Sequence, residues 1–87
     1  MQITIYGWDG QRPDLGTEQA YSGDTPLDIV RGMMATPFAA QLTAREFMAQ
    51  TLRRVSPRGR DILPADEALA AATYLSRLEE LGIAERV

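Results

Sequence analysis

The sequence predicts an α+β domain in which an N-terminal β-hairpin is followed by three helices and a short C-terminal strand, in the order β-β-α-α-α-β. The N-terminal residues alternate as in a strand, and residues 64–82 are a long run of good helix formers between a proline and a glycine. Because an isolated hairpin is marginally stable, we expect the C-terminal strand to join it and the helices to pack on one face of this small sheet.

The first strand is predicted over Gln2–Trp8, where side chains alternate in character. Ile3 and Ile5 point to one face of this strand, and Tyr6 and Trp8 point to the other. The helices need an apolar surface to pack against. We therefore expect the two isoleucines to be buried and the two aromatic side chains to lie on the open face of the sheet.

A second strand and a first helix follow. Residues 9–16 contain several turn formers and predict a long loop, after which residues 17–21 form a weaker strand. Thr25 is suited to cap the first helix, because Pro26 then occupies its first turn and Asp28 can complete a capping box. The helix is expected to end before the next proline.

The second helix carries the most specific local signal in the sequence. Thr43 and Glu46 form a capping box, and Leu42 and Phe47 are spaced as a hydrophobic staple, so that a helix is predicted over Ala44–Val55. Its inward face is expected to consist of Phe47, Met48, Leu52 and Val55.

The third helix is predicted over residues 64–82, with Pro64 in its first turn and Gly82 just after its end. A helical wheel places its small and large apolar residues on one broad face: Ala68, Ala71, Ala72, Leu75 and Leu78, widened by Tyr74 and Leu81. Residues 83–87 alternate as a short terminal strand does.

Length and composition favour one domain over residues 1–87 and exclude several kinds of site. The chain has no cysteine and no histidine, so it lacks disulfides, thiolate chemistry and the commonest metal ligand. No apolar run is long enough to span a membrane, and the net charge of −3 gives no general attraction to nucleic acid or anionic lipid. We expect a cytoplasmic protein.

The acidic and hydroxyl side chains form no recognisable catalytic or metal-binding pattern. Asp66 and Glu67 are neighbours in the sequence, as are Glu79 and Glu80, so each pair diverges by about 100° on a helix and cannot share a proton or a metal ion. The serines have no base to activate them. We therefore expect no enzymatic activity, no cofactor, no metal and no small-molecule substrate.

An aromatic and methionine surface is the favoured partner-binding site, and it comprises Tyr6, Trp8, Met33, Met34 and Phe38. Tryptophan and tyrosine are enriched in binding hot spots, and methionine adapts to varied partners. The alternative is that Trp8 covers the hairpin and the methionines fill gaps. The favoured function is a small non-enzymatic protein-interaction module: an accessory, regulatory or inhibitor protein, of the type found in bacteria, phages and mobile elements. Its expected partner is another protein or a second copy of the chain.

A cluster of arginines supports an alternative function, and it comprises Arg53, Arg54, Arg58 and Arg60. Guanidinium groups bind phosphates, so the alternative is a nucleic-acid-binding protein. No aromatic residue is interleaved with these arginines to stack on bases, and cations are favoured at a helix C-terminus in any case. Nucleic acid is therefore the less favoured partner.

The C-terminal run TYLSRLEELGIAERV resembles the end of a winged-helix recognition helix that enters its wing strand. The helix departs from that pattern, because it is rich in alanine and acidic residues where a helix that reads bases would carry Arg, Asn or Gln. A helix with a glycine cap and a following strand accounts for the same residues, so no functional residues are assigned from this resemblance.

Overall fold

The computed structural model describes residues 1–36, 39–55 and 63–86. Its elements are β1 Gln2–Trp8, β2 Pro13–Ser22, α1 Pro26–Met33, α2 Ala44–Val55, α3 Glu67–Glu80 and β3 Ala84–Arg86. The strands form one antiparallel sheet, so the predicted α+β fold and its element order are confirmed. None of the helices in the described residues has the length and apolar character needed to cross a membrane.

β1 is the central strand of the sheet, which has the order β2-β1-β3. It pairs with both neighbours, so that Ile5 lies opposite Gln19 on β2 and opposite Ala84 on β3. Ile3 is fully buried beneath the helices, and Ile5 is half-buried. The C-terminal strand therefore joins the N-terminal hairpin, as the marginal stability of an isolated hairpin led us to expect.

β2 begins earlier than the sequence indicated. The side chain of Asp9 accepts hydrogen bonds from the backbone N–H groups of Gln11 (2.9 Å) and Arg12 (2.8 Å), which closes a tight turn. Pairing with β1 resumes at Pro13, so the long loop predicted over residues 9–16 is wrong. A proline is tolerated at this position because β2 is an edge strand.

The register between β1 and β2 shifts after Tyr6. Tyr6 lies opposite Glu18, whereas the next residue, Gly7, lies opposite Asp14, so residues 15–17 of β2 are left without a partner on β1. Irregularities of this kind bend the strands and redirect the side chains that follow them.

Trp8 follows this bulge and packs against the core, as Ile5 does. The expectation that Trp8 lies with Tyr6 on the open face of the sheet is therefore wrong, and the departure comes directly after the register shift between β1 and β2. The hydroxyl of Tyr6 instead donates a hydrogen bond to Glu85 on β3 (2.9 Å), in an exposed position.

Reciprocal hydrogen bonds set the start of the first two helices. At α1, the Thr25 hydroxyl accepts from the backbone N–H of Asp28, and the Asp28 carboxylate accepts from the backbone N–H of Thr25, both at 3.2 Å. Thr43 and Glu46 make the same pair of bonds at α2, both at 3.1 Å. Both predicted capping boxes are confirmed.

α3 starts later than predicted. Asp66, rather than Pro64, ends the preceding loop, because its carboxylate accepts a hydrogen bond from the backbone N–H of Leu69 (2.9 Å) and so caps the helix. At the other end, Gly82 has a φ of +77°, which L side chains rarely adopt, and it ends the helix as predicted.

The core lies between the inner face of the sheet and the helices. Its largest fully buried side chains are Ile3, Ile29, Val30, Met48, Tyr74, Leu75 and Leu78. Two positions predicted for the buried face of α3 are corrected: Ala68 is exposed and Ala72 is only half-buried, whereas Ala70 is fully buried. The buried face is rotated in this way because α3 packs against both α1 and α2.

Candidate functional site

The structure brings together three of the five residues predicted to bind a partner. Tyr6, Trp8 and Met33 line one cavity of about 300 Å³, which lies between β1, α1, α2 and α3. Met34, which follows Met33 in the sequence, is half-buried and packs against the core. Phe38 lies outside the described residues.

This inner cavity adjoins an outer cavity of about 640 Å³, and we refer to the two together as the cleft. Met33, Thr51 and Arg54 line both cavities, so these side chains form the boundary between them. The other described residues that line the outer cavity are Thr36, Ala39, Leu42, Phe47, Gln50 and Arg53.

Apolar side chains form most of the wall of the inner cavity. Among its lining residues, Leu78 and Ile83 are buried, and Trp8 and Met33 are half-buried. A concave, mostly apolar surface with a few polar groups is typical of binding sites. The chain has a single tryptophan, so the fluorescence of Trp8 reports directly on this cavity.

A buried hydroxyl, that of Tyr74, belongs to the residues that line the inner cavity. Tyr74 is fully buried, its ring meets that of Phe47 edge-on (6.5 Å between ring centres), and its hydroxyl has no hydrogen-bond partner among the described residues. Burial raises the pKa of Tyr74 to about 12, while the Thr51 hydroxyl, which lies close to hydrogen-bonding range of the phenol, and the Arg54 guanidinium oppose this rise. The phenol is therefore protonated at neutral pH and is available as a hydrogen-bond donor.

Thr51 and Arg54 supply the other polar groups at the boundary of the two cavities. The Thr51 hydroxyl donates a hydrogen bond to the carbonyl of Phe47 (2.9 Å), so its oxygen can still accept one. Arg54 is exposed and, within residues 1–36, 39–55 and 63–86, forms no hydrogen bond or ion pair. In this part of the chain, an exposed guanidinium and a buried hydroxyl therefore line the same inner cavity.

The predicted arginine cluster is described only in part. Arg53 and Arg54 occupy the last turn of α2 and are both exposed, whereas Arg58 and Arg60 lie outside the described residues. The negative end of the helix dipole favours cations at this position. Two of the four arginines thus border the same cleft as Trp8 and Met33.

The described side chains that line the cleft are apolar, hydroxyl, amide or guanidinium groups. Elsewhere in the described residues, no group of three or more acidic side chains is placed to hold a metal ion. The hydroxyl, amide and guanidinium groups of the cleft can form hydrogen bonds and ion pairs, so the cleft is suited to binding a partner.

Sequence reasoning missed Tyr74 and Thr51 as site residues. The sequence does contain one signal for Tyr74, because it lies in the middle of an apolar helix face. When such a ring is buried, its hydroxyl is buried with it and normally needs a hydrogen-bond partner. Which groups surround that hydroxyl depends on how α2 packs against α3, and this contact between distant segments has no local sequence signal.

The chain matches no protein-family model, no curated protein and no solved structure.

Proposed function

We propose that this protein is a small non-enzymatic protein-interaction module that holds an apolar, acidic segment of a partner protein in the cleft. The observation that carries the proposal is the placement of two exposed arginines, Arg53 and Arg54, in the same cleft as the half-buried apolar side chains Trp8 and Met33. Tryptophan and arginine dominate the binding energy of many protein interfaces.

The apolar part of the segment is inferred from the walls of the cleft. Trp8 and Met33 leave part of their surface exposed although both contact the core. An apolar partner side chain would remove that surface from water, and the flexible thioether of Met33 can adapt to its shape.

The acidic character of the segment is inferred from charge. The chain as a whole carries a net charge of −3, yet the described lining of the cleft contains arginine and no carboxylate. A cleft with this local charge attracts an acidic segment and disfavours a basic one.

Selection of random peptides displayed on phage would test this proposal. We expect the protein to enrich peptides in which Asp or Glu lies next to a large apolar residue. Met33→Glu should abolish enrichment because it places a carboxylate in the cleft. Leu15→Glu is the matched control, because Leu15 is 68% exposed and does not line the cleft. Enrichment of basic peptides, or equal enrichment by Met33→Glu, would contradict the proposal.

Two other occupants would be recognised in the same experiments. If a second copy of the chain fills the cleft, light scattering should show a dimer that Met33→Glu dissociates and Leu15→Glu does not. If nucleic acid is the partner, as the exposed Arg53 and Arg54 allow, binding should weaken steeply as salt is raised. An interface with an apolar centre responds much less to salt.

A further inference from the structure

The Tyr74 hydroxyl is the feature of the cleft that its apolar walls do not explain. Buried polar groups in folded proteins are nearly always hydrogen-bonded, and each exception calls for a physical reason. Tyr74 is fully buried, yet its hydroxyl has no partner among the described residues, and the residue lines the inner cavity. The hydroxyl has almost no exposed surface, so an acceptor in this cavity reaches it once the lining side chains move apart.

The chemistry around this hydroxyl selects the kind of acceptor. Tyr74 offers an O–H donor, and the Arg54 guanidinium offers several N–H donors with a positive charge. Both residues line the inner cavity, and the charge of Arg54 opposes the burial-driven rise in the pKa of Tyr74. An acceptor with negative charge satisfies both groups, whereas a neutral carbonyl or a water molecule leaves the guanidinium uncompensated.

The walls restrict the acceptor further. Trp8, Met33 and Leu78 present apolar surface around the polar groups. A carboxylate on an apolar stem matches both parts of this cavity. A phosphate is a poorer match, because its additional charge and oxygens would face apolar atoms without partners. The volume of about 300 Å³ is at the lower end of the range for ligand pockets.

We propose that Tyr74 and Arg54 form a carboxylate-binding subsite in the inner cavity, specific for a carboxylate carried on an apolar stem. This inference rests on the proposed function, in which the carboxylate belongs to the bound segment of the partner. Tyr74 and Arg54 donate hydrogen bonds to the carboxylate, while Thr51, whose hydroxyl donates to the carbonyl of Phe47, lines the cavity beside them.

The subsite is tested with 4-phenylbutyrate, a carboxylate on an apolar stem, and with the matched amide 4-phenylbutanamide. Trp8 fluorescence is the readout, supported by amide NMR shifts of Thr51 and Arg54. We expect saturable binding of the carboxylate and at least about tenfold weaker binding of the amide, since hydrogen bonds to charged groups are the stronger ones.

Two variants assign the binding to the proposed groups. Tyr74→Phe removes only the hydroxyl, and Arg54→Gln removes the charge; each should weaken 4-phenylbutyrate about tenfold. The control is Arg31→Gln, which alters an exposed residue outside the cleft and should leave the affinity unchanged. A circular-dichroism melt of each variant verifies that it is folded.

Equal affinity for the carboxylate and the amide, or unchanged affinity in folded Tyr74→Phe, would overturn the subsite. Peptides selected by phage display then separate the two proposals. If selected peptides bind but Tyr74→Phe has no effect on them, the subsite is wrong and the proposed function stands. If 4-phenylbutyrate binds as expected but no peptide is selected, the subsite stands and the proposed function is wrong. Selected peptides with a free or an amidated C-terminus show whether the carboxylate is terminal or belongs to a side chain.

Discussion

Thr17 lies across Gly7 at the bulge between β1 and β2, so closely that a Cβ atom at position 7 would overlap the Thr17 Oγ1 atom. The Thr17 hydroxyl also donates a hydrogen bond to the carbonyl of Asp14 (3.1 Å), which holds the side chain in place. Gly7 directly precedes Trp8, so this contact lies at the point where the chain redirects Trp8 towards the core.

Gly7→Ala should destabilise the protein by about 1–3 kcal/mol, the usual cost of an added methyl group in a packed position. Urea unfolding measures this loss, and the emission of Trp8 should shift to longer wavelength as the bulge opens. Thr17→Ala should restore most of the loss in the double variant, because the Thr17 Cβ atom lies 3.4 Å from the new methyl position. Additive losses in the double variant would contradict this account of the contact.

Leu75→Ala should cost about 2–5 kcal/mol, because Leu75 is fully buried between α3 and the rest of the core. In a domain of this size, such a loss leaves the protein largely unfolded at physiological temperature, as measured by circular dichroism. Leu69→Ala is the matched control on the same helix, since Leu69 is 61% exposed and should tolerate the change. Similar melting temperatures for the two variants would show that the buried face of α3 is assigned incorrectly.

Thr43→Ala should destabilise the protein by about 1 kcal/mol, because it removes the hydroxyl that accepts from the backbone N–H of Glu46. Thr43→Ser keeps that hydroxyl and should be nearly neutral. The hydrogen bond from the backbone N–H of Thr43 lowers the pKa of Glu46, so its contribution to stability is present above the ordinary pKa of glutamate and is lost as pH falls through the lowered value. Chemical unfolding of both variants at neutral and acidic pH measures these effects. Equal losses of unfolding free energy in Thr43→Ala and Thr43→Ser would show that the hydroxyl does not stabilise the helix.

Tyr74→Phe should alter stability at alkaline pH. The pKa of Tyr74 is raised by burial to about 12 from an ordinary value of 10.0, so the folded state favours the neutral phenol. The stabilisation is complete below pH 10 and is lost as pH rises to 12, because the unfolded state ionises first. Wild type should therefore lose about 2–3 kcal/mol more than Tyr74→Phe over this range. The effects of Tyr6 and Tyr21, whose pKa values are also raised, cancel in this comparison because both proteins contain these residues. Parallel pH profiles would contradict the buried, neutral phenol.

Duplex DNA should bind only weakly, because the net charge is −3 and the two described arginines of the cluster, Arg53 and Arg54, border a mostly apolar cleft. A gel-shift with random duplex at low salt measures this. Tight binding that is lost when Arg53, Arg54, Arg58 and Arg60 are all changed to alanine would favour the nucleic-acid alternative over a protein partner.

Local interactions made several features predictable from the sequence. Thr43 and Glu46 bond to each other's backbone across a single helical turn, so their spacing alone predicts the start of α2. Gly82 ends α3 because glycine, which has no Cβ atom, tolerates the positive φ that this position adopts. The order of the elements and the burial of Ile3 and Leu75 follow from the same short-range patterns of polarity and helix propensity.

The sequence by itself therefore determined the elements, their caps and most of the core, while the tertiary structure decided the site. Trp8 joins the cleft directly after the register shift between β1 and β2, and that register depends on residues from two strands at once. Tyr74, Thr51 and Arg54 come together only where α3 packs on α2. A local pattern specifies which face of a helix is apolar, but contacts between distant segments set its rotation against its neighbours, and with it which polar groups are buried together.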